Sequence, residues 1–229
     1  MCLDCNGLYS DSVSHYILAE KFDKDIAAIQ YRLSSRLDTS QLEQVEAIAA
    51  KLREMFRKLL VKSNHSVMEV LVATFIIEMG YQTDVEHPLE QNLVCDVYGR
   101  KSESTLIAEI ETGFVPPEHA LDPVTYIRAR LVSKIARYSK FADRFLLATP
   151  VDNVAMIPNA LSRPPRVRSA EEIESLKKLC DAYYTNPPIS LEEIGNARLN
   201  DLLIVNVDEL RVAVVDPETY LEAVRQLPR

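Results

Sequence analysis

The stretch 104-STLIAEIETG-113 reads as a buried strand that carries two acids. Side chains alternate across a strand, so Ile107, Glu109 and Glu111 share one face and Leu106, Ala108 and Ile110 take the other. Carboxylates on an apolar strand are costly unless a cation meets them there. The cation that meets Glu109 and Glu111 is therefore the first thing to look for.

Upstream, 92-NLVCDVYG-99 reads as a second strand, with Leu93, Cys95 and Val97 on one face and Val94, Asp96 and Tyr98 on the other. The polar link GRKSES makes the two strands a hairpin. In a matching register Asp96 joins Glu109 and Glu111 on one face. Three neighbouring acids repel unless a cation neutralises them. Carboxylate oxygens, with no His or Cys cluster expected beside them, suit Mg²⁺ or Mn²⁺. A short strand is expected over 81–85 and, before Gly80, a helix over 67–79, apolar almost all round and hence buried. Its Glu69 admits two roles. It can close a capping box with Ser66, or it can point with Val72, Ala73 and Ile76 towards the strand acids.

Downstream, a loop over 112–121 leads to Asp122-Pro123, a helix start. The helix is expected to run to about Arg144, with Ile127, Leu131, Ile135, Tyr138, Ala142 and Phe145 as its apolar stripe. Lys134 falls inside that stripe, either turned inward to a carboxylate or snorkelling outward. Arg130 and Arg137 flank it, with Lys140 and Arg144 further round, as a contact for phosphates or a solvated flank. A strand over 145–149 closes the unit. The order helix, strand, strand, strand, helix, strand gives an α/β sandwich with a mixed central sheet.

These residues resemble the PD-(D/E)XK nuclease superfamily over about residues 64–150. Glu69 stands on the core helix, Asp96 on the second strand, Glu109-x-Glu111 on the third, and Lys134-x-x-x-Tyr138 on the following helix. The wording IAEIETG followed by KIARYSKFADRFLLATP is similar to archaeal and archaeal-virus members. The resemblance implies a restriction-endonuclease-like core and a metal-dependent endonuclease that hydrolyses DNA. It implies Mg²⁺ or Mn²⁺ on Asp96 and Glu109, with Glu111 and the Ile110 carbonyl as further ligands, and Glu69, Lys134 and Tyr138 as catalytic groups. The family's motif ends in lysine where this chain has Glu111, so Glu111, Lys134 or the metal itself would activate water. Lys134 and Tyr138 match the place where other families of the group carry Gln-x-x-x-Tyr or a migrated lysine. The same departure leaves open a nuclease-fold protein that binds nucleic acid, or serves as a structural module, without cutting. RNA and branched DNA are alternative substrates, and a homodimer suits the cutting of two strands.

Around this core, 229 residues and a hydrophobic share of 47% allow a substantial buried interior. The expected division is an N-terminal helical region over 1–62, the nuclease-like core over 63–150 and a C-terminal α+β extension over 151–229. No membrane span or signal-peptide layout is visible, so a soluble cytoplasmic protein is expected. A net charge of −8 argues against a general basic coat for nucleic acid. Arg163, Arg166 and Arg168 gather in one loop as a local candidate contact. Cys2-x-x-Cys5 has half a zinc site's spacing, with a lone His15 nearby. A helix is expected over 12–37, then another to Lys62 whose seam is Leu42, Val45, Ala49, Leu52, Phe56 and Leu59, packing on the core or pairing two subunits. Past Pro150, capping boxes at Ser169-x-x-Glu172 and Ser190-x-x-Glu193 start two helices, and 202–207 and 211–215 read as strands.

Overall fold

The computed structural model describes residues 6–90 and 93–227. Three helices come first, α1 (Asn6–Leu33), α2 (Thr39–Arg57) and α3 (Ser63–Glu78). Then follow β1 (Gln82–Pro88), β2 (Val94–Lys101), β3 (Ser104–Ile110), α4 (Pro123–Tyr138) and β4 (Arg144–Pro150). The last part holds α5 (Asn159–Ser162), α6 (Ala170–Asp181), α7 (Leu191–Asn196), β5 (Asp201–Asn206), β6 (Arg211–Val215) and α8 (Pro217–Arg225). The six strands lie in chain order in one mixed sheet. β1, β2 and β3 are antiparallel, β3, β4 and β5 parallel, and β6 antiparallel to β5. Cys2 and Cys5 lie outside the described residues.

Strand alternation builds a core on each face. Leu106, Ala108 and Ile110 pack with α1, α2 and α3, while Ile107 packs with Leu131 of α4 and Leu176 of α6. α3 is buried almost all round, from Val70 to Ile77 with only Phe75 partly open, because it lies between the sheet and the two earlier helices. Val45, Ala49 and Leu52 of the α2 seam are buried in that same core, joined by Ile48. The C-terminal part lengthens the sheet, β5 pairing with β4 in parallel and β6 forming the new edge. Both capping boxes there form, at Ser169/Glu172 and Ser190/Glu193.

Several boundaries differ from expectation. α1 starts earlier and gives way after Leu33 to a 3-10 turn. α2 stops at Arg57, and Leu59 turns to φ +60° and stands 74% exposed, which takes it out of the seam. α3 starts at Ser63, so Ser66 lies inside the helix and forms no capping box with Glu69. α4 ends at Tyr138, which places Lys140 in a 3-10 turn and Arg144 on β4 instead of on the flank of one long helix. Cys95 and Val97 do not share a face, since Cys95 packs on the α4 side and Val97 on the α3 side. The alternation breaks at Asp96, and across from it on β1 Glu86 takes φ +46°.

Candidate active site

The β2–β3 ladder runs as far as Val97↔Ala108, with Tyr98 opposite Ile107. That register puts Asp96 on the Glu109 face. Past Val97 the strands are joined through carboxylates. The Asp96 amide donates to Glu109 Oε1 at 3.1 Å, and the Ile110 amide donates to Asp96 Oδ2 at 2.6 Å. Two acids thus take over backbone hydrogen bonds at the point where the strands part.

Lys134 enters this gap from α4. Its Nζ lies 3.0 Å from Glu109 Oε2 and 3.2 Å from Asp96 Oδ2, and donates to the Ile110 carbonyl at 2.7 Å. Lys134 therefore points inward and does not snorkel. Asp96, Glu109 and the Ile110 carbonyl, three of the four expected metal ligands, converge on its ammonium. Burial would pull the Lys134 pKa down, but Glu109 and Asp96 outweigh it and hold the ammonium charged. Burial also opposes the Asp96 charge, yet Lys134, His65 and the Ile110 amide keep that carboxyl well below its usual range. Glu109 goes the other way, since burial and the Asp96 charge together push it up despite Lys134. Tyr138, one turn beyond Lys134, is half-buried on this side, and burial with the Glu109 charge raises its phenol.

Glu69 is fully buried and faces the same place from α3, and neither carboxylate oxygen has a hydrogen-bond partner. Burial, Asp96 and Glu86 all raise its pKa. A buried carboxylate without a partner is costly. Beside it stands His65, whose Nε2 lies 3.7 Å from Glu69 Oε1 and 3.1 Å from Asp96 Oδ1. Ligand atoms of His65, Glu69 and Asp96 lie within 4.8 Å of one another. Donors around an ion at about 2.1 Å stand roughly 3–4 Å apart, a spacing that the two His65 distances already meet, so a small closure of the group could hold a divalent metal. The expectation of no histidine beside the acids is corrected. Its signal was the i, i+4 spacing of His65 and Glu69, which sets both on one face of a helix.

Glu111 is drawn elsewhere. Arg130 grips it with two nitrogens, Nε donating to Oε2 at 2.8 Å and Nη2 to Oε1, and the Gly113 amide donates to Oε1 at 2.8 Å. Glu111 is 2% exposed and belongs to this pair. Of the six basic residues expected to contact nucleic acid, five are engaged within the molecule. Arg130 holds Glu111, Arg137 donates to the Pro187 carbonyl, Lys140 pairs with Glu193 and Arg163 with Glu172. Arg168 is buried and donates to the Ala160 and Ile194 carbonyls. Arg166 is exposed.

An open cleft of about 470 Å³ lies over the site, lined by His65, Glu86, Ile110, Glu111, Arg130 and Lys134. Beneath it Lys134 meets Asp96 and Glu109, Arg130 meets Glu111, and buried Glu69 meets neither cation. No protein-family model, curated protein or solved structure matches the chain. Among the described residues no helix is long and apolar enough to cross a membrane.

Proposed function

We propose that this chain is a divalent-metal-dependent nuclease of the PD-(D/E)XK type, an endonuclease that hydrolyses phosphodiester bonds of DNA. The observation that carries the reading is the meeting of Asp96, Glu109 and the Ile110 carbonyl around Lys134, beside the unpartnered Glu69, next to an open cleft that His65, Ile110 and Lys134 line. A divalent ion, Mg²⁺ or Mn²⁺, would supply a water of lowered pKa and offset charge on the phosphate. Among the described residues Asp96 is the carboxylate paired with both His65 and Lys134, so it would hold the ion jointly with Glu69 and His65. Lys134 would offset negative charge that builds on the phosphate. Glu109, fixed by Lys134 and the Asp96 amide, keeps the Asp96 backbone in place. Glu111 has its oxygens committed to Arg130, so in this arrangement it holds the β3 end to α4 and does not activate water.

The test is plasmid DNA with Mg²⁺ or Mn²⁺, with wild-type protein beside Asp96→Asn and Glu109→Gln. Cutting by the wild type that falls at least 100-fold in both variants is expected. Equal cutting by all three would reject the site.

A second reading, a nuclease-fold protein that binds nucleic acid without cutting, is favoured by one feature. Lys134 already neutralises Asp96 and Glu109 where a metal would otherwise sit. DNA bound but uncut with every metal and substrate form would select it.

A further inference from the structure

Phe114 stands on the lip of the cleft, 58% exposed. Single exposed apolar residues are ordinary, but this one is held in place. Gly113 before it has φ +76°, and a Cβ there would come within 2.4 Å of Asn153 Oδ1. Arg130, which grips Glu111, also donates from Nη1 to the Phe114 carbonyl at 2.6 Å. The ring is thus presented by the arginine that ties the loop to the site's own strand. Lys62 lies over it, with Nζ 5.3 Å from the ring centroid, and both residues line the cleft that has Lys134 on its floor.

We propose that Phe114 and Lys62 form a nucleobase-stacking subsite, so that the strand entering the cleft is unpaired at that point. This rests on the nuclease reading and adds a substrate class to it. An aromatic face at the lip has no use for a base already stacked inside a duplex, whereas a single strand or frayed end offers a free π-face. The ammonium over one face of the ring supplies the charge that a neighbouring phosphate needs, and a base stacks on the other face.

The chain contains no tryptophan, so Phe114→Trp introduces a single reporter at the lip. The full-length variant is titrated with a short single-stranded oligonucleotide and with a blunt duplex of the same sequence. Binding of the single strand should quench the indole emission, and Phe114→Ala should weaken single-strand binding about tenfold or more while leaving duplex binding unchanged. Both variants change an exposed ring, so folding is kept, and their melting curves check it. Unchanged single-strand affinity in Phe114→Ala, or oligonucleotide binding without quenching, overturns the proposal. Equal quenching by the blunt duplex, or quenching by an apolar peptide and not by the oligonucleotide, also overturns it. Its failure is separable from that of the nuclease reading. Plasmid cutting with no Phe114 effect sinks only the subsite, and quenching by single strands with no metal-dependent cutting sinks only the nuclease.

Discussion

Lys134 holds the candidate site together, because it is the cation that faces both Asp96 and Glu109 across the gap between β2 and β3. Removing one partner of a buried ion pair leaves the others uncompensated and costs about 3–5 kcal/mol. Lys134→Met should therefore lower metal-free stability by about that much in chemical denaturation, while Glu109→Gln should cost far less. Equal and small losses in both would show that the lysine does not hold the acids together. The pH dependence follows from Glu109, raised from 4.5 to about 8. The folded state binds this proton over a range where the unfolded chain has released it. Its contribution is thus complete below pH 4.5 and is lost as the pH rises through about 8. Asp96 is shifted down from 3.8, so its contribution is present above that value and is lost as the pH falls below it. In EDTA the wild type should lose stability relative to Glu109→Gln, which mimics the protonated acid, between pH 5 and 8. A difference that stays flat over that range would show that Glu109 is not protonated in the folded protein. With Mg²⁺ or Mn²⁺ at about 100 times its Kd, the wild type should regain about 2.7 kcal/mol.

At the scale of elements, what was legible in the sequence was whatever local pattern dictates. Alternation in 104–113 placed Ile107, Glu109 and Glu111 on one face, and the helical wheel set Lys134 within the apolar stripe, leaving open whether it turned inward or snorkelled, which its contact with Glu109 decides. The capping boxes at Ser169 and Ser190 formed because each needs only four consecutive residues. What was not legible depends on partners remote in the chain. The choice of Arg130 by Glu111 spans 19 residues, and nothing local ranks it above Lys134. The break of alternation at Asp96 comes from side chains of β2 and β3 replacing backbone partners, which period-two reading does not see. His65 was readable from its spacing to Glu69 but was obscured by the expected start of the helix at 67. Packing of α3 on β2 yields a prediction of the same scale. A Cβ on Gly99 would lie 2.9 Å from Ile76 Cγ2 and 3.2 Å from the Tyr81 ring. Gly99→Ala should therefore push α3 from the sheet and cost about 1–3 kcal/mol, read as a lowered Tm. Since His65 and Glu69 ride on α3, weaker Mn²⁺ binding should accompany it. An unchanged Tm would mean that the helix yields without strain.

For the whole molecule, the expected three regions share their interiors. α1 and α2 contribute Phe22, Ile26, Val45 and Leu52 to the core that also holds Val97 and Ile110. The C-terminal part contributes Leu176, Cys180, Ile194, Leu202 and Leu221 to the core that holds Ile107 and Leu131. At about 1.5–3 kcal/mol for each large apolar side chain buried, either contribution matches the net stability of a typical domain, about 5–15 kcal/mol. Removing 151–229 would also bare the edge of β4, whose Leu146 to Ala148 now pair with β5. A fragment of residues 63–150, although it contains every group of the candidate site, should therefore be insoluble or melt without a cooperative transition. The full chain should unfold in one transition that coincides by circular dichroism and by tyrosine fluorescence. A cooperative melt of the 63–150 fragment, or two separate transitions in the full chain, would show that the core stands alone. The flanking parts would then be attachments to the site, not part of what keeps Asp96, Glu109 and Lys134 within 3.2 Å contact.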